Sequence, residues 1–299
     1  MTTIAAAAPF KARTWRFRLW KELRAYPAIP VVILSIVIFV AIFGAVLSPH
    51  SPYDQALRQR LLPPVGMDRG TWDHALGTDN LGRDTLSRMM TGARVSLSLA
   101  ALTIAFGVIL GTVIGSAAGF YAGKIWDVIL MRLADAALSI PLVLLALVLA
   151  VVRGASYWNL VVLISLFIWA RTARIIRGQA LQVSQRDYIA LARVAGCSGP
   201  SILLKHVIPN VSHVAIVLAT LEVGAVIILE ASLSFLGVGV PPPNPSWGSL
   251  VADGRNVIGT AWWVSTIPGL AIMVTVASFN LIGDRMRDRF DPRLRQRGA

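Results

Sequence analysis

Asp187-Tyr-Ile-Ala-Leu-Ala-Arg-Val-Ala-Gly196-Cys-Ser-Gly-Pro-Ser201, followed by His206-Val-Ile-Pro209-Asn210, is the centre of a basic, polar interruption at 171–210 between two long apolar stretches. A chain that merely crosses lipid has little use for a structured break of that length. Around it, 56% of the 299 residues are hydrophobic and only 14% are charged, against roughly 25% charged in soluble domains. The mean hydropathy is +0.67. The apolar residues gather in six runs, near 31–47, 95–120, 133–152, 158–176, 211–229 and 261–283, comparable to the ~20 residues that cross a bilayer as a helix. Barrel strands would instead alternate over about ten residues. The expected fold is an all-α integral membrane protein with six transmembrane helices in a lipid bilayer.

The net charge of +13 could suggest nucleic acid, but the 28 Lys and Arg residues sort by loop. With the N-terminus in the cytoplasm, twenty fall on the inner side and eight on the outer. The inverted orientation would break the positive-inside rule. Both termini are therefore expected to be cytoplasmic, and nucleic acid has no support beyond net charge. The first apolar run, preceded by Lys11 to Arg24, is long for a cleaved signal, and Ala45-Val-Leu-Ser-Pro49 offers no small-x-small cleavage site, so a retained anchor is expected. Cys197 is the sole cysteine, which excludes an intrachain disulfide. Interfacial belts are expected to hold Trp158, Trp262 and Trp263 on the outer side, with Trp126 and Trp169 on the inner.

The chain divides into an amphipathic N-terminal tail (1–28), a first transmembrane helix with an extracytoplasmic segment (29–94), a five-helix core carrying the 171–210 loop (95–283), and a basic tail (284–299). Trp15, Phe17, Trp20 and Leu23 stand among basic residues, which suits either a helix lying on the inner leaflet or a disordered tail. Gly107, Gly111, Gly115, Gly119 and Gly123 recur every fourth residue. One helix face is thus nearly bare and admits another backbone, within the subunit or between subunits. Gly119 to Lys124 is one residue short of a phosphate-binding loop, and Ile125 stands where that loop needs Ser or Thr.

Asp135, Glu222 and Glu230 fall in or beside apolar runs, where an ionisable residue points to function. Asp135, close to Arg132, is expected to form a structural ion pair or a helix cap. Glu222 and Glu230, eight residues apart near one face, either line a translocation path or bond neighbouring helices. The histidines at 50, 74, 206 and 213 have no acid or cysteine at ligand spacing, so no metal site is expected. No nucleophile–base pair suggests catalysis.

Within the interruption, Ser184 is placed to cap a short helix with Asp187 three residues on. Tyr188, Leu191, Ala192 and Ala195 then form one apolar stripe, and Gly196 supplies a left-handed stop. Ser198-Gly199-Pro200 turns the chain into a second helix, which Pro209 is expected to end or kink. A short helix presenting an apolar face either suits a groove on a soluble partner or is a plain linker hairpin packed against its own bundle. A membrane subunit pushed by a separate motor needs such an element.

These residues resemble the EAA loop of bacterial ABC-importer permeases, whose Glu-Ala-Ala, Gly and terminal Pro correspond to Ala190-Leu191-Ala192, Gly196 and Pro209. Leu76-Gly-Thr-Asp-Asn-Leu-Gly-Arg-Asp-Thr-Leu-Ser-Arg88, Glu230-Ala-Ser-Leu-Ser-Phe-Leu-Gly237, Pro245-Ser-Trp-Gly248 and Phe279-Asn-Leu-Ile-Gly-Asp284 resemble successive motifs of the dipeptide/oligopeptide/nickel permeases, in particular the C-type subunit. The resemblance covers roughly 75–295. It implies the ABC importer permease fold with a coupling loop that includes Tyr188, Gly196, Ser198, His206 and Pro209. It also implies a homologous second permease, two cytoplasmic ATPase subunits that carry ATP and Mg, and an extracytoplasmic solute-binding protein in a bacterial inner membrane. This chain itself then holds no cofactor. Dipeptides, oligopeptides, glutathione-like compounds and chelated nickel are all open as cargo. The loop glutamate of the family is Ala190 here, so docking through a salt bridge at that position is not expected. An ion- or proton-coupled secondary transporter using Glu222 and Glu230 is the alternative, although the inverted repeats it would need are not visible.

Overall fold

Residues 28–290 of a computed structural model are described, with side chains as far as 288. The expected surface helix of the N-terminal tail and the chain after 290 lie outside that range. α1 (Ala28–Leu47) buries Leu34, Ala41 and Gly44 but exposes Val32, Ile36, Phe39 and Ile42, as a helix facing lipid must. A cap at 48–84 follows, irregular except for single 3₁₀ turns at Leu57–Gln59 and Trp72–His74 and an isolated β-bridge between Thr78 and Asp84. Asp84 ends it by accepting a 2.7 Å bond from Ser87 N–H, which starts α2 (Thr85–Phe120). At ~1.5 Å per residue its 36 residues reach about 54 Å. The hydrocarbon layer is only ~30 Å thick, so the first turns of α2 stand in the cap.

The run at 133–152 does not make one straight span. α3 (Ile125–Ser139) and α4 (Leu142–Arg153) meet at an 80° bend. Pro141 forces Ile140 out of the helical region, to φ −93° and ψ 126°. α5 (Tyr157–Ser184) continues past the apolar run, so Arg171, Arg174 and Arg177 lie in a helix and not in a loop. α6 (Asp187–Val194) and α7 (Gly199–Ile202) form a short hairpin. A single wide π turn at Leu203–Val207 then joins α7 to α8 (Ile208–Phe235).

Pro209 therefore neither ends nor breaks the chain's course. Ile208 N–H reaches back five residues to Leu203 O. This extra residue in the turn makes room for the proline ring in the first turn of α8, and 199–235 runs on as one 37-residue span. α9 (Trp247–Gly254) returns to the cap, and α10 (Trp263–Phe290) carries its helix beyond Gly283. Among the described residues, five helices are long and apolar enough to cross a membrane, and the bent α3–α4 pair is the sixth candidate.

The glycine row closes the core. A Cβ at Gly107 would stand 2.7 Å from Ile168 Cβ, at Gly111 2.7 Å from Trp169 O, at Gly115 2.5 Å from Ala173 O, and at Gly119 2.5 Å from Arg177 O. All four face α5 of the same chain, at a separation that only bare backbone permits. Gly123 lies beyond the helix, at φ +79° in the turn before α3. Two tryptophans depart from the expected belts. Trp169 is buried near the middle of α5, and Trp263 is buried with Nε1 donating to Thr78 O at 3.3 Å.

Candidate functional site

The α6–α7 hairpin sits at one end of the helix bundle, and the cap at the other. Ser184 does not cap α6; its Oγ donates back to Ala180 O at 2.7 Å within α5, and Arg186 stands at the start of α6 with no capping bond. Hydroxyls satisfied inside a helix in this way are unavailable as caps. The far end of α6 follows the glycine. Gly196 has φ +80°, its N–H bonds Arg193 O, and Cys197 N–H bonds Ala192 O, both at 3.0 Å. That pair of bonds is a Schellman stop. Nothing lies within 4 Å of a Cβ built at Gly196, so backbone conformation and not space restricts the position.

The stripe divides. Ala192 turns inward, whereas Tyr188, Leu191 and Ala195 face outward. The anchor is Ile189, 0% exposed, in the same buried cluster as Ile176, Ala180, Ile202 and Val207. Outward-facing Leu191 is 68% exposed and Val194 87%, an apolar surface that the hairpin offers to whatever lies beyond it. Ala190 is exposed too. Val194 completes an i, i+3 pair with Leu191, a spacing visible in the sequence. The Arg193 guanidinium sits 5.5 Å above the Phe120 ring, tying α6 to the end of α2. The rings of Tyr188 and His206 are 6.3 Å apart. Ser198 opens α7 without a side-chain bond, and His206 O accepts from Asn210 Nδ2 at 2.6 Å.

Above the hairpin, three arginines on α5 each meet an acid from another helix. Arg171 Nη1 lies 3.3 Å from Glu222 Oε1, Arg174 Nη2 lies 2.6 Å from Asp135 Oδ1, and Arg177 is bidentate to Asp127 at 2.6 and 2.8 Å. Asp135 thus pairs with Arg174, not Arg132. The spacing of three along α5 is the signal that could have found the row. Arg171 and Glu222 stand near the middle of α5 and α8, yet the Arg171 side chain is 64% exposed. A guanidinium at that depth suits a wet path or a partner subunit, not lipid.

Glu230 lines no path in this conformation. It is 1% exposed, and one carboxylate oxygen accepts 2.7 Å bonds from Ser234 and Ser246. Ser246 also forms a capping box with Ser249. Glu230 therefore anchors the start of α9 beneath the cap.

The cap is stitched across long sequence distances. Asp79, 2% exposed, accepts from Leu81 and Arg83 N–H and pairs with Arg83 and Arg88. Both arginines also reach Asp253 of α9, at 3.2–3.3 Å. Beside this network opens a cavity of about 480 Å³, whose lining includes Tyr53, Asn80, Arg83, Asn244 and Asp253. The expectation that no acid accompanies the histidines is corrected here: folding brings His50, His74 and Asp84 within 4.8 Å of one another. Asp84 is ten residues from His74, beyond any local ligand spacing.

Comparison with known proteins places these features. Residues 107–296 match the family described as the binding-protein-dependent transport system inner membrane component, and 29–64 match the N-terminal transmembrane domain of oligopeptide transport permease C. The chain is 40% identical over 266 residues to the dipeptide transport system permease protein DppC of Escherichia coli, covering 89% of this chain and 88% of that one. It is 36% identical over 265 residues to the di/tripeptide transport system permease protein DppC of Pseudomonas aeruginosa, covering 89% and 87%. The dipeptide transport system permease protein DppC of Bacillus subtilis is 35% identical over 283 residues, covering 94% and 85%.

Proposed function

Because the chain belongs to the inner-membrane permeases of binding-protein-dependent transport systems, we propose that it is the C-type permease of an ATP-driven peptide importer, coupled to its motor through the α6–α7 hairpin. The exposed apolar face of α6, stopped at Gly196, is the observation that carries this reading. Dipeptide and di/tripeptide systems among the relatives support small peptides as cargo. The missing phosphate-binding loop supports ATP and Mg on two separate ATPase subunits, with no cofactor in this chain. A second permease completes the path and a solute-binding protein delivers cargo at the cap. The basic bias supports a cytoplasmic side for both termini and the hairpin.

In this mechanism, closure of the ATPases displaces α6 and its anchor Ile189 together. The shift passes to α5 and α8, where Glu222 with Arg171 borders the translocation path. Docking rests on Leu191, Val194 and the hairpin's shape, because Ala190 supplies no charge. Replacing Gly196 by Val should leave membrane insertion intact and stop ATP-driven uptake of a labelled dipeptide into proteoliposomes carrying the whole complex. Uptake at the normal rate would overturn the coupling role. Uptake that persists without ATPase subunits would overturn the importer reading in favour of an ion-coupled carrier.

A further inference from the structure

We propose that His50, His74 and Asp84 bind a divalent cation of the zinc class that staples the cap to the start of α2. The three residues come from separate pieces of chain: the segment leaving α1, the turn at Trp72–His74, and the residue that begins α2. Each offers one ligand atom, all within 4.8 Å of one another. Two imidazoles and a carboxylate are a donor set that zinc and its first-row neighbours accept. The His74 and Asp84 side chains are 7% and 1% exposed, and the His50 ring lies 4.9 Å from that of His74. On the open side, the exposed Asp73 places one oxygen 3.3 Å from His50 Nε2 and the other 3.8 Å from His74 Nε2, adding negative charge beside the three.

Two details favour a cation over a plain hydrogen-bonded pin. His50 Nδ1 is buried without a hydrogen-bond partner, a vacancy that folded proteins rarely leave. His74 itself holds Asp84 Oδ1 against Nδ1 and Gln59 Oε1 against Nε2, both at 3.0 Å, and exchanges one of these contacts when it ligates the ion. Finally, the described ion pairs of Asp73 and Asp84 are with these two histidines alone, so two carboxylates gather with no Arg or Lys to balance them. One divalent ion supplies that charge and gives lone pairs of the ring nitrogens a partner.

The test uses the detergent-purified complex, stripped with EDTA and then titrated with Co²⁺ and Zn²⁺. One Co²⁺ should bind per chain, with a visible absorption band that Zn²⁺ displaces, and saturation should raise the thermal midpoint. His50→Ala removes the ligand whose Nδ1 is unpartnered and keeps the Asp84–His74–Gln59 bonds. It should weaken binding by roughly tenfold or more and abolish the metal-dependent rise in midpoint, while the metal-free midpoint stays put. His213→Ala on α8 should bind as the parent does. No Co²⁺ band in the parent, or equal affinity in His50→Ala, would overturn the site and leave the cluster a hydrogen-bonded pin. Neither outcome depends on what the permease carries.

Discussion

The two ends of the molecule are built on opposite plans. At the cap, residues more than 150 positions apart are joined by buried or part-buried polar bonds: Arg88 to Asp253, Trp247 Nε1 to Met89 O, Trp263 Nε1 to Thr78 O. At the hairpin, α6 is held by one fully buried side chain, Ile189, and by the stacking of Arg193 on Phe120. Apart from the part-buried Ala192, its remaining apolar residues look outward. The contrast teaches that the cap is a frame, costly to deform, whereas the hairpin can travel as a unit with few bonds broken.

The strongest challenge to that contrast is Asp79→Ala. It leaves two arginines facing Asp253 alone and should cost about 3–5 kcal/mol, as removal of one member of a buried ion pair does, read as a large fall in the thermal midpoint of the purified complex. Ile189→Ala should cost about 2–5 kcal/mol at its own site, but the loss should appear as faster proteolysis and hydrogen exchange at 187–199, with a smaller change in the global midpoint. If it melts the whole bundle as Asp79→Ala does, the hairpin is part of the frame. Gly111→Ala, which forces a methyl against Trp169 O and Thr172, should cost roughly 1–3 kcal/mol by overpacking and register in the global midpoint. Gly196→Ala meets no atom but must hold φ +80°; about 1–2 kcal/mol of local strain is expected, with Gly196→Asn milder. Leu191→Ala together with Val194→Ala should change stability least, within about 0.5 kcal/mol, and still suppress ATP-driven uptake. Unchanged uptake would show that the exposed face docks nothing.

Local signals were readable in advance because their causes are local. A residue every fourth position on α2 must share a face, so the glycine row announced a close helix contact, though not that α5 would be the partner. Gly196 announced its turn because few other residues hold a positive φ. Pro141 also stood in plain view inside a run read as one span, and its effect on Ile140 is a local rule that was available. Pro209 misled in the opposite direction, since its relief comes from the π turn before it and leaves no residue signature. Glu222 could be suspected from its depth, but its partner Arg171 lies on another helix. Glu230, farther from mid-membrane, had a weaker depth signal, and only the return of α9 buries it. His50, His74 and Asp84 are likewise assembled by the course of the cap, which no periodicity records.

The π turn at Leu203–Val207 has a mechanical meaning. By letting the helix pass Pro209 without a break, it joins the hairpin to α8 as a single shaft of 37 residues, about 55 Å long at ~1.5 Å per residue. Each degree by which such a shaft tilts about its hairpin end swings the opposite end by about 1 Å. Near that opposite end is Glu230, bonded to Ser246 at the foot of α9. A small stroke at one face of the membrane thus arrives magnified at the mouth of the other.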